Sequence, residues 1–184
     1  EIANELFQQF QDFAKYSFNL SHAVAYSILS YKTAWLKKYY PLEFYCALFN
    51  CSIDNQDDLV KYFHAAKDDG IKIQPPDINI SDTKFTINDN SIVFGLAGVK
   101  GLGEKVCDSI IQIRPSIGFT SIEDVARSGI NKGAIKALAA CGALSTISDI
   151  LRESLVYNIE DLLEYFDKLS KWESREESIA IRER

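Results

Sequence analysis

The chain has 184 residues, 47% of them hydrophobic and 12% aromatic, with a formal net charge of −6. That length suits one or two domains, and that apolar content supplies a real core, which excludes a disordered chain. The acidic balance excludes a uniformly basic coat for nucleic acid while permitting a local cationic patch, and no apolar run approaches the roughly 20 residues of a membrane span.

Nothing at the start reads as a signal peptide. The sequence opens on Glu1, lacks methionine and is already helical in pattern over 1–16, so we expect a piece of a longer polypeptide. Cys46, Cys51, Cys107 and Cys141 form no Cys-x-x-Cys pair, and no paired-His spacing exists. These features speak against zinc and for reduced core thiols in a cytoplasmic protein.

Ile2, Leu6, Phe10 and Phe13 recur at helical spacing and predict an amphipathic first helix over 2–16. Residues 17–20 break it. Asn19 or Ser21 can cap a second helix, which runs to about Tyr40 and stops at Pro41. That helix is too rich in apolar residues for a solvated one, so we expect it buried or packed on a partner. Pro41 can open a third helix over 42–50. A fourth covers 55–69, with Asp57 and Asp58 in its first turn, Leu59, Tyr62, Phe63 and Ala66 on its apolar face, and Gly70 after its end.

The texture changes at residue 71. We expect a short strand at 71–73, an extended loop over 75–82, and a hairpin of 84–87 and 92–96 around Asn88-Asp89-Asn90-Ser91. Helices return at about 103–113, 121–128 and 131–140. Thr120 and Ser121 offer N-cap hydroxyls, Asn131 caps the last of the three and Gly142 ends it. From Asp149, an apolar stripe of Leu151, Leu155, Ile159, Leu162, Leu163, Phe166, Leu169 and Trp172 predicts a long amphipathic helix or helix pair. The fold class is mainly α with a small β element, divided as 1–70, 71–97, 98–145 and 146–184.

Two stretches carry chemistry. In "GVKGLGEKVCDSIIQI", Gly98, Gly101 and Gly103 surround a tight turn ahead of a helix, the pattern of a helix-hairpin-helix. Uncovered N–H groups at such a helix start can bind a DNA phosphate, with Lys100 and Lys105 adding counterion release. A second, degenerate copy lies in "VARSGINKGAIKALAACGAL", with Gly129, Gly133, Lys132 and Lys136. For both copies the alternative is a turn needed only for packing. In "SFNLSHA", Asn19, Ser21 and His22 cluster at a helix mouth whose dipole suits an anion such as a triphosphate; the alternative is a plain cap. Lys37, Lys38, Tyr39 and Tyr40 make a basic-aromatic end that can meet a nucleic-acid backbone or simply face water. A Cys-His nucleophile pair has no local support, and there is no two-metal Asp-x-Asp, P-loop or dinucleotide fingerprint.

Taken in order, "FNLSHAVAYSILSYKTAWLKKYYPLEF", "GIKIQPPDIN", "FGLAGVKGLGE" and "ALAACGAL" closely resemble the bacterial replicative DNA polymerase III alpha subunits, the C-family polymerases. The resemblance runs from about Asn4 to about Leu163. It implies the fingers region, the connector and the helix-hairpin-helix beyond it. It also implies that the catalytic aspartates and their Mg²⁺ lie in a palm outside this chain, which would bind no cofactor of its own and would be inactive alone. By motif it carries incoming dNTP contact to Asn19, Ser21, His22 and Tyr26, and duplex contact to Gly98, Lys100, Gly101, Gly103 and Lys105. The implied partners are template–primer DNA, dNTP and the remainder of the polymerase polypeptide, with no membrane. Leu20 departs from the pattern, since the family has lysine there, and leucine offers no cation to a triphosphate. "REESIAIRER" does not resemble a sliding-clamp peptide. The rival readings are a stand-alone helix-hairpin-helix DNA-binding module and a replication-protein interaction module.

Overall fold

The computed structural model describes residues 2–16 and 20–182. Two helices come first, α1 (Ile2–Tyr16) and α2 (Leu20–Tyr39). Pro41 then begins α3 (Pro41–Cys51), its missing N–H costing nothing at a position with no intrahelical acceptor. The Phe44 N–H closes that first turn on the Tyr40 carbonyl at 2.9 Å. The chain divides at this point into two compact units, residues 1–44 and 45–184.

In the first unit, α1 and α2 leave their apolar side chains open. No residue of α2 is buried, and Leu20, Val24, Ile28, Leu29 and Leu36 are all exposed. Burial of this helix within its own unit is therefore ruled out, because two helices alone cannot enclose each other's apolar faces. Asn19 lies outside the described residues, and Ser21 is the second residue of α2, inside the helix rather than capping it.

The second unit opens with the buried end of α3 (Tyr45, Cys46, Phe49) and α4 (Gln56–Asp68). Asn55 caps α4 by accepting from the Asp58 N–H. Its far end closes through the Gly70 N–H on Lys67 and the Ile71 N–H on Ala66, at 3.0 and 2.9 Å, the paired bonds of a Schellman ending. Three short strands follow, β1 (Ile73–Gln74), β2 (Thr86–Asn88) and β3 (Ser91–Val93), in the order β1-β3-β2. β2 and β3 are antiparallel, with Asn88 opposite Ser91. Asp89 and Asn90 both take positive φ, 43° and 62°, as the tight turn of a two-residue hairpin demands. β1 lies parallel to β3, with Ile73 beside Ile92, so the strand expected at 71–73 forms further along, at 73–74. Phe49, Phe63, Phe85 and Phe94 pack the sheet against α3 and α4, with ring centroids as close as 4.6 Å for Phe49 and Phe63.

The largest core lies beyond the sheet. A 3₁₀ turn (Leu96–Gly98), α5 (Glu104–Ile113), α6 (Ile122–Arg127), α7 (Lys132–Cys141) and α8 (Arg152–Arg182) bury Leu96, Ile110, Val125, Leu138 and Leu144 almost completely. Burial of each such side chain stabilises the fold by about 1.5–3 kcal/mol. The mainly α class holds, and the tail is one helix. α8 uses Leu155, Ile159 and Leu163 to reach the core, whereas Leu151 and Trp172 of the expected stripe stay exposed at 76% and 57%. Cys51 is exposed too, correcting the reading of all four cysteines as core thiols, while Cys46 and Cys107 are buried. None is in a disulfide. Among the described residues, no helix is long and apolar enough to cross a membrane.

Candidate nucleic-acid interface

The "PPDIN" motif builds the support for the first hairpin rather than a site. The Asp77 carboxylate accepts from the Asn79 and Ile80 N–H groups and from the Thr146 hydroxyl. The Asn79 amide grips Phe119 from both sides, donating to its carbonyl at 2.9 Å and accepting from its N–H at 2.8 Å. Arg114, at the end of α5, donates to the Ser81 carbonyl at 2.6 Å, and Thr83 donates to Asp108 at 2.6 Å. Burial holds the Arg114 guanidinium below its ordinary value, and Asp82 and Asp77 offset part of that effect. This extended loop ties the middle and the C-terminal end of α5, and the segment just before α6, to the sheet.

On that support sits the turn of residues 98–105. Leu102 is buried and anchors it, while Lys100, Gly101, Gly103, Glu104 and Lys105 face outward. Gly98 is enclosed, with its carbonyl held by the Gln56 amide at 3.2 Å. Gly101 has φ +95°, which only glycine takes without strain. Gly103 is different. Its φ of −83° is open to any residue, and a Cβ there would meet nothing within 4 Å, so neither strain nor packing requires glycine. Gly103 is the N-cap of α5 and brings no side-chain cap. Val106 and Cys107 close the first turn on its carbonyl at 2.9 and 3.1 Å. The N–H groups ahead of them lack intrahelical partners, as at any helix start. The result is an exposed, uncapped helix mouth between two lysines. Glu104 sits inside it and is drawn aside by Lys84, 3.5 Å away.

The second hairpin joins α6 to α7 through Ser128, Gly129 and Ile130, and its mouth is occupied. Asn131 caps α7, accepting from the Ala134 N–H at 2.7 Å. Lys132 pairs with Asp167 of α8 at 2.7 Å, and Lys136 pairs with Glu160. Arg127, which the motif reading missed, pairs with Glu173 of α8 and with Glu123, each at 2.7 Å. These bonds hold the Glu160, Asp167 and Glu173 carboxyls below their ordinary values and raise Lys132 and Arg127. Gly133 faces only its neighbour Asn131 and shows no open cradle.

In the first unit, His22 and Tyr26 come together one turn apart on α2, their rings 4.3 Å between centroids. Ser21 precedes them, and Leu20 opens the helix 76% exposed. Trp35 packs on Tyr39 and Tyr40, so the basic-aromatic end is an ordered aromatic group. Sequence reasoning also missed Lys84, Gln56 and Asn79. Each acts on the hairpin from a distant element, and no local motif marks such residues.

Comparison with known proteins agrees with this arrangement. Residues 70–155 match a family described as "Helix-hairpin-helix motif", a span that holds the connector, both hairpins and the start of α8. The chain is 39% identical to the DNA polymerase III subunit alpha of Thermus aquaticus over 170 residues, 90% of its own length. It is 40% identical to that of Neisseria meningitidis over 166 residues, and 39% identical to that of Borreliella burgdorferi over 169. It belongs to the DNA polymerase III alpha family. Within that family it matches a limited stretch, spanning only 14–15% of these relatives.

Proposed function

We propose that this chain is the part of a replicative DNA polymerase that holds the template–primer duplex by its backbone and lends one wall to the site for the incoming dNTP. The observation that carries the reading is the bare N-cap at Gly103 between Lys100 and Lys105. A glycine that neither strain nor packing requires leaves backbone donors open to an anion, and two lysines surround them. Such contacts fix the duplex in register and are indifferent to its sequence, which suits an enzyme that must copy any template.

The nucleotide wall would be Ser21, His22 and Tyr26, together with Asn19, which precedes them in the sequence. The exposed Leu20 supplies no cation to a triphosphate, so charge compensation there falls to other parts of the polymerase. Phosphoryl transfer needs clustered carboxylates and Mg²⁺. Among the described residues no three His, Cys, Asp or Glu side chains gather into such a set, so no step of transfer is assigned to this chain. The exposed apolar face of α2 would pack on the remainder of the polymerase polypeptide, for which 20 residues of open helix provide the surface.

Lys100→Ala with Lys105→Ala is expected to weaken duplex binding and lower the salt slope by about 0.9 for each phosphate no longer neutralised. An unchanged affinity and slope would leave the hairpin a packing element. In the complete polymerase, His22→Ala is expected to raise the apparent KM for dNTP. An unchanged KM would make His22 a ring that packs on Tyr26 and nothing more.

A further inference from the structure

The three cations of the second hairpin are matched one for one by carboxylates spaced along α8, Glu160 and Asp167 on one face and Glu173 about a third of a turn round from Asp167. Lys136 meets Glu160, Lys132 meets Asp167 and Arg127 meets Glu173. Moving back along the chain from Lys136 to Arg127 moves forward along α8, so the acidic series runs antiparallel to α7. Glu160 to Glu173 spans about 20 Å at 1.5 Å per residue. These carboxylates occupy, at the same cations, the place that the phosphates of a nucleic-acid strand would take. The apolar hold of α8 lies nearer its start, at Leu155, Ile159 and Leu163, with Leu162 and Phe166 packed beside them. Of the three ion-paired acids, Asp167 and Glu173 lie beyond that hold.

We infer that the acidic series of α8 is a built-in competitor of DNA at the second hairpin. With α8 docked, Arg127, Lys132 and Lys136 are neutralised, and only the first hairpin offers donors to a duplex. Lifting the distal part of α8 releases Lys132 and Arg127 from their α8 partners, beside the first hairpin's helix, since Lys105 and Ile110 of α5 line a common cleft with Gly129 and Asn131. Duplex contact then extends from one hairpin to two. The inference rests on the proposed duplex binding at the first hairpin and adds a second, conditional contact surface.

The test uses the 184-residue chain with a fluorescent primer–template, titrated at several salt concentrations. Glu160→Gln, Asp167→Asn and Glu173→Gln together, the ion-pair variant, are expected to tighten binding at least several-fold and steepen the salt slope by about 2, one increment of about 0.9 for each of Lys132 and Lys136, since Arg127 keeps its pair with Glu123. A control with Asp149→Asn, Glu153→Gln and Asp161→Asn changes net charge equally and leaves the hairpin masked, so its slope should stay at the starting value. Adding Lys132→Ala and Lys136→Ala to the ion-pair variant should remove most of the gain. An unchanged slope in the ion-pair variant, or an equal gain in the control, overturns the inference. Circular dichroism on each variant checks that α8 remains helical, and a reversed pair, Lys132→Glu with Asp167→Lys, keeps the docking contact while removing the Lys132 cation from the hairpin. That reversed pair should bind no more tightly than the parent, and a gain there also overturns the inference. Failure of the Lys100 and Lys105 variant to weaken the parent chain would instead count against duplex binding at the first hairpin.

Discussion

At Gly103, stability and binding pull in opposite directions. Serine is among the best N-cap residues and improves on glycine by a few tenths of a kcal/mol. Nothing within 4 Å obstructs its Cβ, and the backbone already has a cap's extended conformation. Gly103→Ser should therefore leave the melting temperature unchanged or slightly raised, as read by thermal denaturation. Duplex affinity should fall, because the hydroxyl takes a donor that a phosphate would use. A loss of both would mean that glycine is there for folding. The thiols make a second test at this scale. Burial, with Asp108 adding to it, pushes Cys107 up to about 11, and burial raises Cys141 as well. A neutral-pH labelling reagent should therefore modify the exposed Cys51 first and Cys107 only on unfolding, which mass spectrometry of timed samples would read.

Among the elements, the 77–83 loop and α8 decide how the hairpins are held. Asn79→Ala strips both bonds from Phe119 and should cost about 1–3 kcal/mol, measured by urea unfolding. Leu138→Ala, at the centre of the core in α7, should cost about 2–5 kcal/mol. The acid response of α8 follows from its ion pairs. Glu160, Asp167 and Glu173 have folded-state values depressed below their ordinary ones. Their contribution is present above the ordinary carboxylate range and lost as pH falls below it through the depressed values. Acidification over that window should loosen distal α8 before the core melts, seen as early amide exchange beyond residue 166.

Helix boundaries were legible where caps are local: Ser121, Asn131 and Gly142 act within a turn of their own position, whereas the strands expected at 84–87 and 92–96 form at 86–88 and 91–93. The Asp89-Asn90 turn was legible for the same reason. The fate of the second hairpin was not. Lys132 and Lys136 carry the same local pattern as Lys100 and Lys105, and only the fold reveals that their acidic partners come from 24 or more residues away. Equally, "PPDIN" has the look of part of a functional series, yet the bonds of Asp77 and Asn79 go to the protein's own backbone and side chains. The solvent exposure of α2 could not be read either, since an apolar helix has the same pattern whether its cover comes from its own unit or from another part of a longer polypeptide.

For the whole molecule, the pairing scheme leaves the net charge of −6 distributed unevenly in effect. Arg127, Lys132 and Lys136 are cancelled by α8, and Lys84 is spent on Glu104, so among the described residues of the hairpins Lys100 and Lys105 are the cations with no carboxylate in an ion pair. Among the described residues at the hairpins, the carboxylates of α8 repel a polyanion and the first turn attracts it. Such a charge pattern filters orientation in the diffusive encounter. If the proposed duplex binding holds, an approach from the α8 side of the hairpins is disfavoured before contact and one aligned on the first turn is favoured. Raising the ionic strength would relieve that repulsion as well as the attraction, so the association rate should respond weakly to salt while the dissociation rate carries most of the dependence, a division that stopped-flow measurements at two salt concentrations would expose.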